Sequence, residues 1–123
     1  MRPKATLDIV TPRTEPIMER LWQLYRHDFS EFRGTLPEPD GTFPVGRLPT
    51  FFGGDPDRRA YLLTCENRPA GFACVRGLTE ERRVVGEFFV VRAWRRRGLG
   101  LETALAMFEK HPGRWEIPFQ SNN

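Results

Sequence analysis

Apolar residues fall in short runs along this chain, and their spacing changes from one segment to the next. Leu7 to Val10 is a brief apolar run that predicts a strand. Thr14-Glu15-Pro16 then has the make-up of a helix start, with a capping hydroxyl, an early acid and a proline in the first turn. Ile17, Leu21, Leu24 and Tyr25 follow at helical spacing, which predicts one buried helix face. Asp28 and Ser30 can restart a short second helix carrying Phe29 and Phe32. Residues 34–58 lose this periodicity: five glycines and five prolines sit in 25 residues, with Phe43, Phe51 and Phe52 among them. Three phenylalanines argue for an ordered loop over a linker, one that either lines a binding site or plugs the core edge.

Periodicity returns at Arg59–Cys65 and Ala70–Val75, a hairpin pattern around Glu66-Asn67-Arg68-Pro69. The run from Val84 to Val91 is apolar on both parities, as in a central strand covered on both faces. Trp94 to Arg97 turn the chain. Gly98 to His111 reads as a helix whose buried stripe is Leu101, Ala104, Leu105 and Phe108, stopped by Pro112-Gly113. Arg114 to Ile117 is one more strand candidate.

Composition narrows the class. A length of 123 residues predicts one domain, 1–123, and 39% hydrophobic with 28% charged residues is a globular balance. No apolar run approaches the ~18 residues of a membrane span. Met1-Arg-Pro-Lys-Ala-Thr has no apolar stretch behind it, so a cytoplasmic chain without membrane partners is expected. Cys65 and Cys74 would lie about four residues apart along the hairpin ladder, ~13 Å at strand rise. That exceeds disulfide reach, so both are expected as reduced thiols. His27 and His111 are isolated and no Cys/His spacing suits a metal. Net charge is only +3, but 17 of the 19 basic residues are arginines, and six of these fall between Arg82 and Arg97. The modest net charge argues against nucleic acid, while the local cluster points to a smaller anion.

The chemistry concentrates in Val90-Val-Arg-Ala-Trp-Arg-Arg-Arg-Gly-Leu-Gly100, at a strand-to-helix junction. A helix start offers unpaired N–H groups and the positive end of the dipole. Gly98 and Gly100 let an anion approach that backbone, and Arg95, Arg96 and Arg97 add charge beside it. The segment lacks the Lys-Ser/Thr of the nucleotide-binding loop, and Thr103 replaces the third glycine of the dinucleotide fingerprint. Taken alone, the glycine pair could equally ease helix–sheet packing while the arginines are solvated.

Arg95-x-x-Gly98-x-Gly100 after an apolar strand resembles motif A of the GNAT N-acetyltransferase superfamily, whose pattern is Arg/Gln-x-x-Gly-x-Gly/Ala. The order of elements resembles the family through most of the chain. Glu87-Phe-Phe-Val-Val-Arg, Trp94-Arg-Arg-Arg-Gly-Leu-Gly and Pro112-Gly-Arg-Trp-Glu116 look like a small bacterial subgroup of it. The resemblance implies an α/β (α+β) fold, a mixed and mostly antiparallel sheet flanked by helices. Ala93 stands where the family usually has proline. The family also continues past Asn123 with a further helix and two strands, so the expected domain is C-terminally incomplete. That helix often carries a tyrosine general acid, for which this sequence offers no match.

The resemblance further implies acetyl-CoA as cosubstrate and an amine-bearing small molecule or peptide as acceptor. Main-chain groups of Phe89, Val90 and Val91 would bind the pantetheine arm like an added strand, and could polarise the thioester carbonyl. Arg95, Arg96, Arg97, Gly98, Leu99 and Gly100 would hold the pyrophosphate, with Leu101 closing the cradle. Glu87 is the one acid inside the apolar strand. Desolvation favours the neutral form of such a carboxyl unless it is paired, so Glu87 is either a general base or one half of an ion pair with an arginine. Asp28 and Glu31, with Glu38 and Asp40 nearby, would border the acceptor pocket and favour a cationic amine, or are ordinary surface acids. Trp94 and Trp115 read as packing residues. The leading expectation is direct acetyl transfer to a primary amine. The alternative is a non-catalytic CoA- or anion-binding module. An open C-terminal sheet edge would suit cover by a second copy, as a homodimer.

Overall fold

The computed structural model describes residues 5–117, and it forms one twisted five-stranded sheet with a helix on each face. The strands are β1 (Ala5–Ile9), β2 (Arg59–Cys65), β3 (Arg68–Arg76), β4 (Arg82–Val90) and β5 (Arg114–Glu116), in that spatial order. The first four pair antiparallel and β5 joins β4 in parallel. The helices are α1 (Glu15–Arg33) and α2 (Leu99–Lys110). This is the mixed, mostly antiparallel sheet with flanking helices that the motif implied. Asn123 and the rest of 118–123 lie outside the described residues.

The helix predicted to break near Asp28 runs on to Arg33 as one element of 19 residues. Neither polar residue interrupts it: the Ser30 hydroxyl donates back to the His27 carbonyl, and Asp28 is held by two arginines from the turn after β4. Gly34 stops the helix in a left-handed conformation, φ 69°, its N–H bonded to the Ser30 carbonyl. Its buried stripe, Met18, Leu21, Trp22 and Tyr25, packs on Phe72, Cys74 and Phe89. Phe51 of the long loop plugs this core, with Phe52 packed against it, and no residue of 34–58 lines the cleft described below. The loop is core cover.

The hairpin is tighter than its sequence suggested. Glu66 and Asn67 both have positive φ, 51° and 65°, so they alone make the turn while Arg68 and Pro69 already belong to β3. Cys65 therefore stands opposite Arg68, and Cys74 opposite Ala60. A register shift after Leu63 accommodates Pro69, which has no N–H for the ladder. Both cysteines are free and buried, in core clusters on opposite faces of the sheet.

Two burial expectations are overturned. β4 is not covered throughout: Val84 and Phe89 are buried, but its other residues are half-buried or exposed. Among the described residues β5 pairs only with residues 82–84 of β4. And α2 buries Leu99, Thr103 and Met107, not the stripe of Leu101, Ala104, Leu105 and Phe108. Leu101 and Leu105 face outward, 59% and 54% exposed, while Ala104 and Phe108 are half-buried. Both stripes have helical spacing, and the turn into α2 decides which one meets the sheet.

Candidate active site

Beyond Val84 the outer edge of β4 is unpaired among the described residues, and a cleft of about 640 Å³ wraps this edge. One wall comes from α1, through Tyr25, Asp28, Phe29 and Phe32. The other is the turn from Arg95 into α2.

Strand geometry decides which main-chain groups face the cleft. The Val91 N–H donates to the Ala70 carbonyl at 2.8 Å, and Phe89 stands opposite Phe72 two residues earlier. Alternation therefore turns the N–H and C=O of Phe89 and Val91 towards β3, and those of Phe88 and Val90 to the open edge. Of the three residues expected to hold a ligand arm, only Val90 presents its backbone. Phe88 is the residue the sequence reading missed.

The turn after β4 is shaped for an anion. Arg96 has φ 62° and Gly98 has φ 82°, so the chain turns sharply into the first turn of α2, whose N–H groups have no partner within the helix. Gly98 is the N-cap of α2 and brings no side-chain acceptor to the first-turn amides. A Cβ built on Gly98 would meet nothing within 4 Å, and one on Gly100 only the Phe88 ring at 3.8 Å. The space a phosphate needs is thus open at both glycines, and the residues present fit that group. Leu99 lies with its side chain in the core, so it offers only its backbone; Leu101 is exposed and does not line the cleft, so it does not close the cradle as expected.

Charge is placed less simply than the sequence suggested. Arg95 does not reach outward: Nε donates to the Val90 carbonyl at 2.8 Å and Nη2 to Asp28 Oδ2 at 2.6 Å. Arg92 holds the other oxygen of Asp28 at 3.1 Å. Asp28 is therefore an anchor for two guanidinium groups and is not a free acid awaiting an amine. Arg96 and Arg97 are exposed, Arg97 lying over the Trp94 ring. Glu31 lines the cleft as an exposed carboxylate, and Trp94 combines core packing with a place in the cleft wall. Trp115 packs against the α2-side core, its indole N–H bonded to the His111 carbonyl.

Of the two readings of Glu87, the ion pair with an arginine is not formed among the described residues; the hydroxyl of Tyr25 donates to its Oε2. Tyr25 reaches from the buried stripe of α1 and lines the cleft. Burial, and then the negative charge of Glu87, push the Tyr25 phenol far above its ordinary value of 10.0, so it stays a donor. Sequence offered one signal for this pair, a tyrosine on a buried helix face in a chain whose core strand carries a lone acid.

The β4 edge that is unpaired among the described residues runs into the turn at the start of α2, which brings Arg95, Arg96, Gly98 and Gly100 to one wall of the cleft. The Acetyltransferase (GNAT) family model matches residues 18–114, and the chain belongs to that family. An acetyltransferase from Thermus thermophilus is 25% identical, with a TM-score of 0.72 over 95% of this chain and 77% of its own. An aminoglycoside acetyltransferase from an uncultured soil metagenomic sample, crystallised with sisomicin, is 16% identical (TM-score 0.63, covering 96% and 79%). A CoA-dependent acyl-homoserine lactone synthase crystallised with SAM and isopentyl-CoA is 21% identical (TM-score 0.60, covering 87% and 61%). The last two likenesses show the fold alone. No curated protein matches. Among the described residues no helix is long and apolar enough to cross a membrane, and no group of three or more metal-ligating side chains is present.

Proposed function

We propose that this chain moves an acetyl group from acetyl-CoA to a primary amine of a small molecule or peptide, by direct attack of the amine on the thioester. The observation that carries the reading is the Tyr25–Glu87 pair set beside an open strand edge that leads into an anion cradle. The outward groups of Phe88 and Val90 would hold the pantetheine arm as an added strand. The diphosphate would sit on the amides from Arg96 to Leu101. The amine nitrogen forms a bond to the thioester carbon, the carbon–sulfur bond breaks, and the CoA thiolate leaves. Glu87, fixed by Tyr25, takes a proton from the acceptor's ammonium, directly or through water, which frees the lone pair that attacks; the second proton lost from that nitrogen goes to the departing thiolate. The aromatic wall of Tyr25, Phe29 and Phe32 and the carboxylate of Glu31 border the acceptor side.

Two measurements test this. Isothermal titration with acetyl-CoA should show binding that CoA competes away; no heat at millimolar ligand would end the reading. Steady-state thiol release with a broad amine panel should then show turnover. Binding without thiol release would favour the non-catalytic module. A homodimer through the β4 edge would use the same main-chain groups as the coenzyme, so the two are alternatives at that edge.

A further inference from the structure

The Val90 carbonyl faces outward on the β4 edge that is unpaired among the described residues, and the protein already holds it. Arg95 Nε donates to it at 2.8 Å. Arg95 Nη2 is fixed by Asp28 Oδ2 at 2.6 Å, and the guanidinium carbon lies 5.6 Å from the centre of the Phe89 ring. These three contacts lay the guanidinium along the edge where an added strand would run. Asp28 is in turn steadied by Arg92 at 3.1 Å.

We propose that Arg95 is a specificity residue: it closes the β4 edge to thioesters that lack a phosphate and yields it to those that carry one. The inference rests on the reading that this edge takes the pantetheine arm. A phosphate-free arm offers the Val90 carbonyl a neutral amide donor in place of a charged one, and nothing better than Asp28 to the displaced guanidinium. Charge-assisted bonds are the stronger kind, so the exchange is unfavourable. A diphosphate seated on the turn that begins at Arg95 changes the balance. It presents several anionic oxygens to the same guanidinium, which can leave the edge for a bidentate partner. Phosphate binding at the turn thereby frees the carbonyl for the arm, and the two halves of the ligand bind cooperatively.

Titration calorimetry on the full chain with acetyl-CoA and with S-acetylpantetheine, which has no phosphate, tests this through a change of opposite sign. Arg95→Ala should weaken acetyl-CoA about tenfold and strengthen S-acetylpantetheine about threefold, the scale of one charged hydrogen bond lost or released. Asp28→Asn loosens the guanidinium without removing it, and should strengthen S-acetylpantetheine while leaving acetyl-CoA at least as tight. Arg95 is 41% exposed, so its truncation is compatible with folding; thermal melts check this, and Asp28→Asn carries the test should Arg95→Ala fail to fold. Acetyl-CoA binding together with equal weakening of both ligands in Arg95→Ala, or no gain for S-acetylpantetheine in either variant, overturns the proposal alone. No acetyl-CoA binding by the unaltered chain overturns the coenzyme reading as well.

Discussion

Replacing Tyr25 by Phe removes one oxygen and tests the pair that the catalytic reading depends on. The ring stays in its place against Trp22, Phe29, Phe72 and Phe89, so packing is retained. Two terms oppose each other. The variant loses a hydrogen bond to a charged acceptor, about 1.5–3 kcal/mol, and no longer has to bury a hydroxyl, which returns part of that. A net loss of about 1–2 kcal/mol follows, which for a domain of this size lowers Tm by roughly 3–10 °C. The sign at high pH follows from the direction of the shift. A phenol whose pKa is raised in the folded state stabilises the fold fully below its ordinary value of 10.0. That stability is lost as pH rises from there towards the folded-state value. Tyr25→Phe should therefore flatten alkaline unfolding, followed by circular dichroism with pH. In thiol-release assays the same variant should lose about tenfold or more in kcat/KM, because Glu87 is no longer held. Glu87→Gln gives the contrast: it still accepts from Tyr25, so Tm changes little, yet turnover falls by about 10²–10⁴. If Tyr25→Phe leaves Tm and the alkaline limb unchanged, the hydrogen bond does not carry the weight given to it. If Glu87→Gln turns over normally, Glu87 is no base.

Gly71→Ala would place a Cβ 2.0 Å from the Phe89 carbonyl, a backbone atom that cannot step aside; a loss of at least about 3 kcal/mol is expected, read by denaturant unfolding. Gly98→Ala meets no neighbour but must hold φ 82°, so it should cost about 1–2 kcal/mol and, independently, weaken acetyl-CoA in calorimetry by filling the cradle. His111 is pushed below its ordinary 6.5 first by burial and then by Arg59, Arg83 and Lys110. The unfolded chain therefore binds the extra proton more readily, and stability falls as pH drops through about 6.5; His111→Gln should remove that part of the slope in urea melts at pH 5 and 7. Asp57 accepts from the Thr79 hydroxyl and from the N–H groups of Thr79 and Gly77, bonds that hold its carboxyl below the usual value. Its contribution is present above pH 4 and fades as pH falls further, so Asp57→Ala should unfold at lower denaturant at neutral pH with a shallower acid limb.

The parts of the fold that sequence revealed are those set by local chemistry. Glu15-Pro16 starts a helix, although the Thr14 hydroxyl bonds back to Thr11 and does not cap the first turn, and the junction at Arg95–Gly100 needs only a strand before it and a helix after it. What sequence hid depends on partners far along the chain. Asp28 reads as a free surface acid until Arg92 and Arg95, over 60 residues away, fold onto it. Tyr25 reads as one more apolar position on its stripe, because its hydroxyl partner stands on the fourth strand. The face of α2 was ambiguous because Leu99 and Met107 compete with Leu101 and Leu105 at the same spacing. The backbone of Arg96 and Gly98 settles the contest. Phe89 and Val91 were assigned to the ligand because a strand's two edges look alike in a run of apolar letters, and only pairing to Ala70 and Phe72 shows which edge is taken.

The two thiols make the molecule its own control for the assay it most needs. Burial pushes both the Cys65 and Cys74 thiols up, and neither has a surface path in the folded chain. A colorimetric disulfide reagent added to a turnover mixture would thus register only coenzyme sulfur. Because the two residues lie under different helices, a cysteine-to-serine variant of each in turn would leave one reporter, and its rate of labelling would tell which side of the sheet opens first.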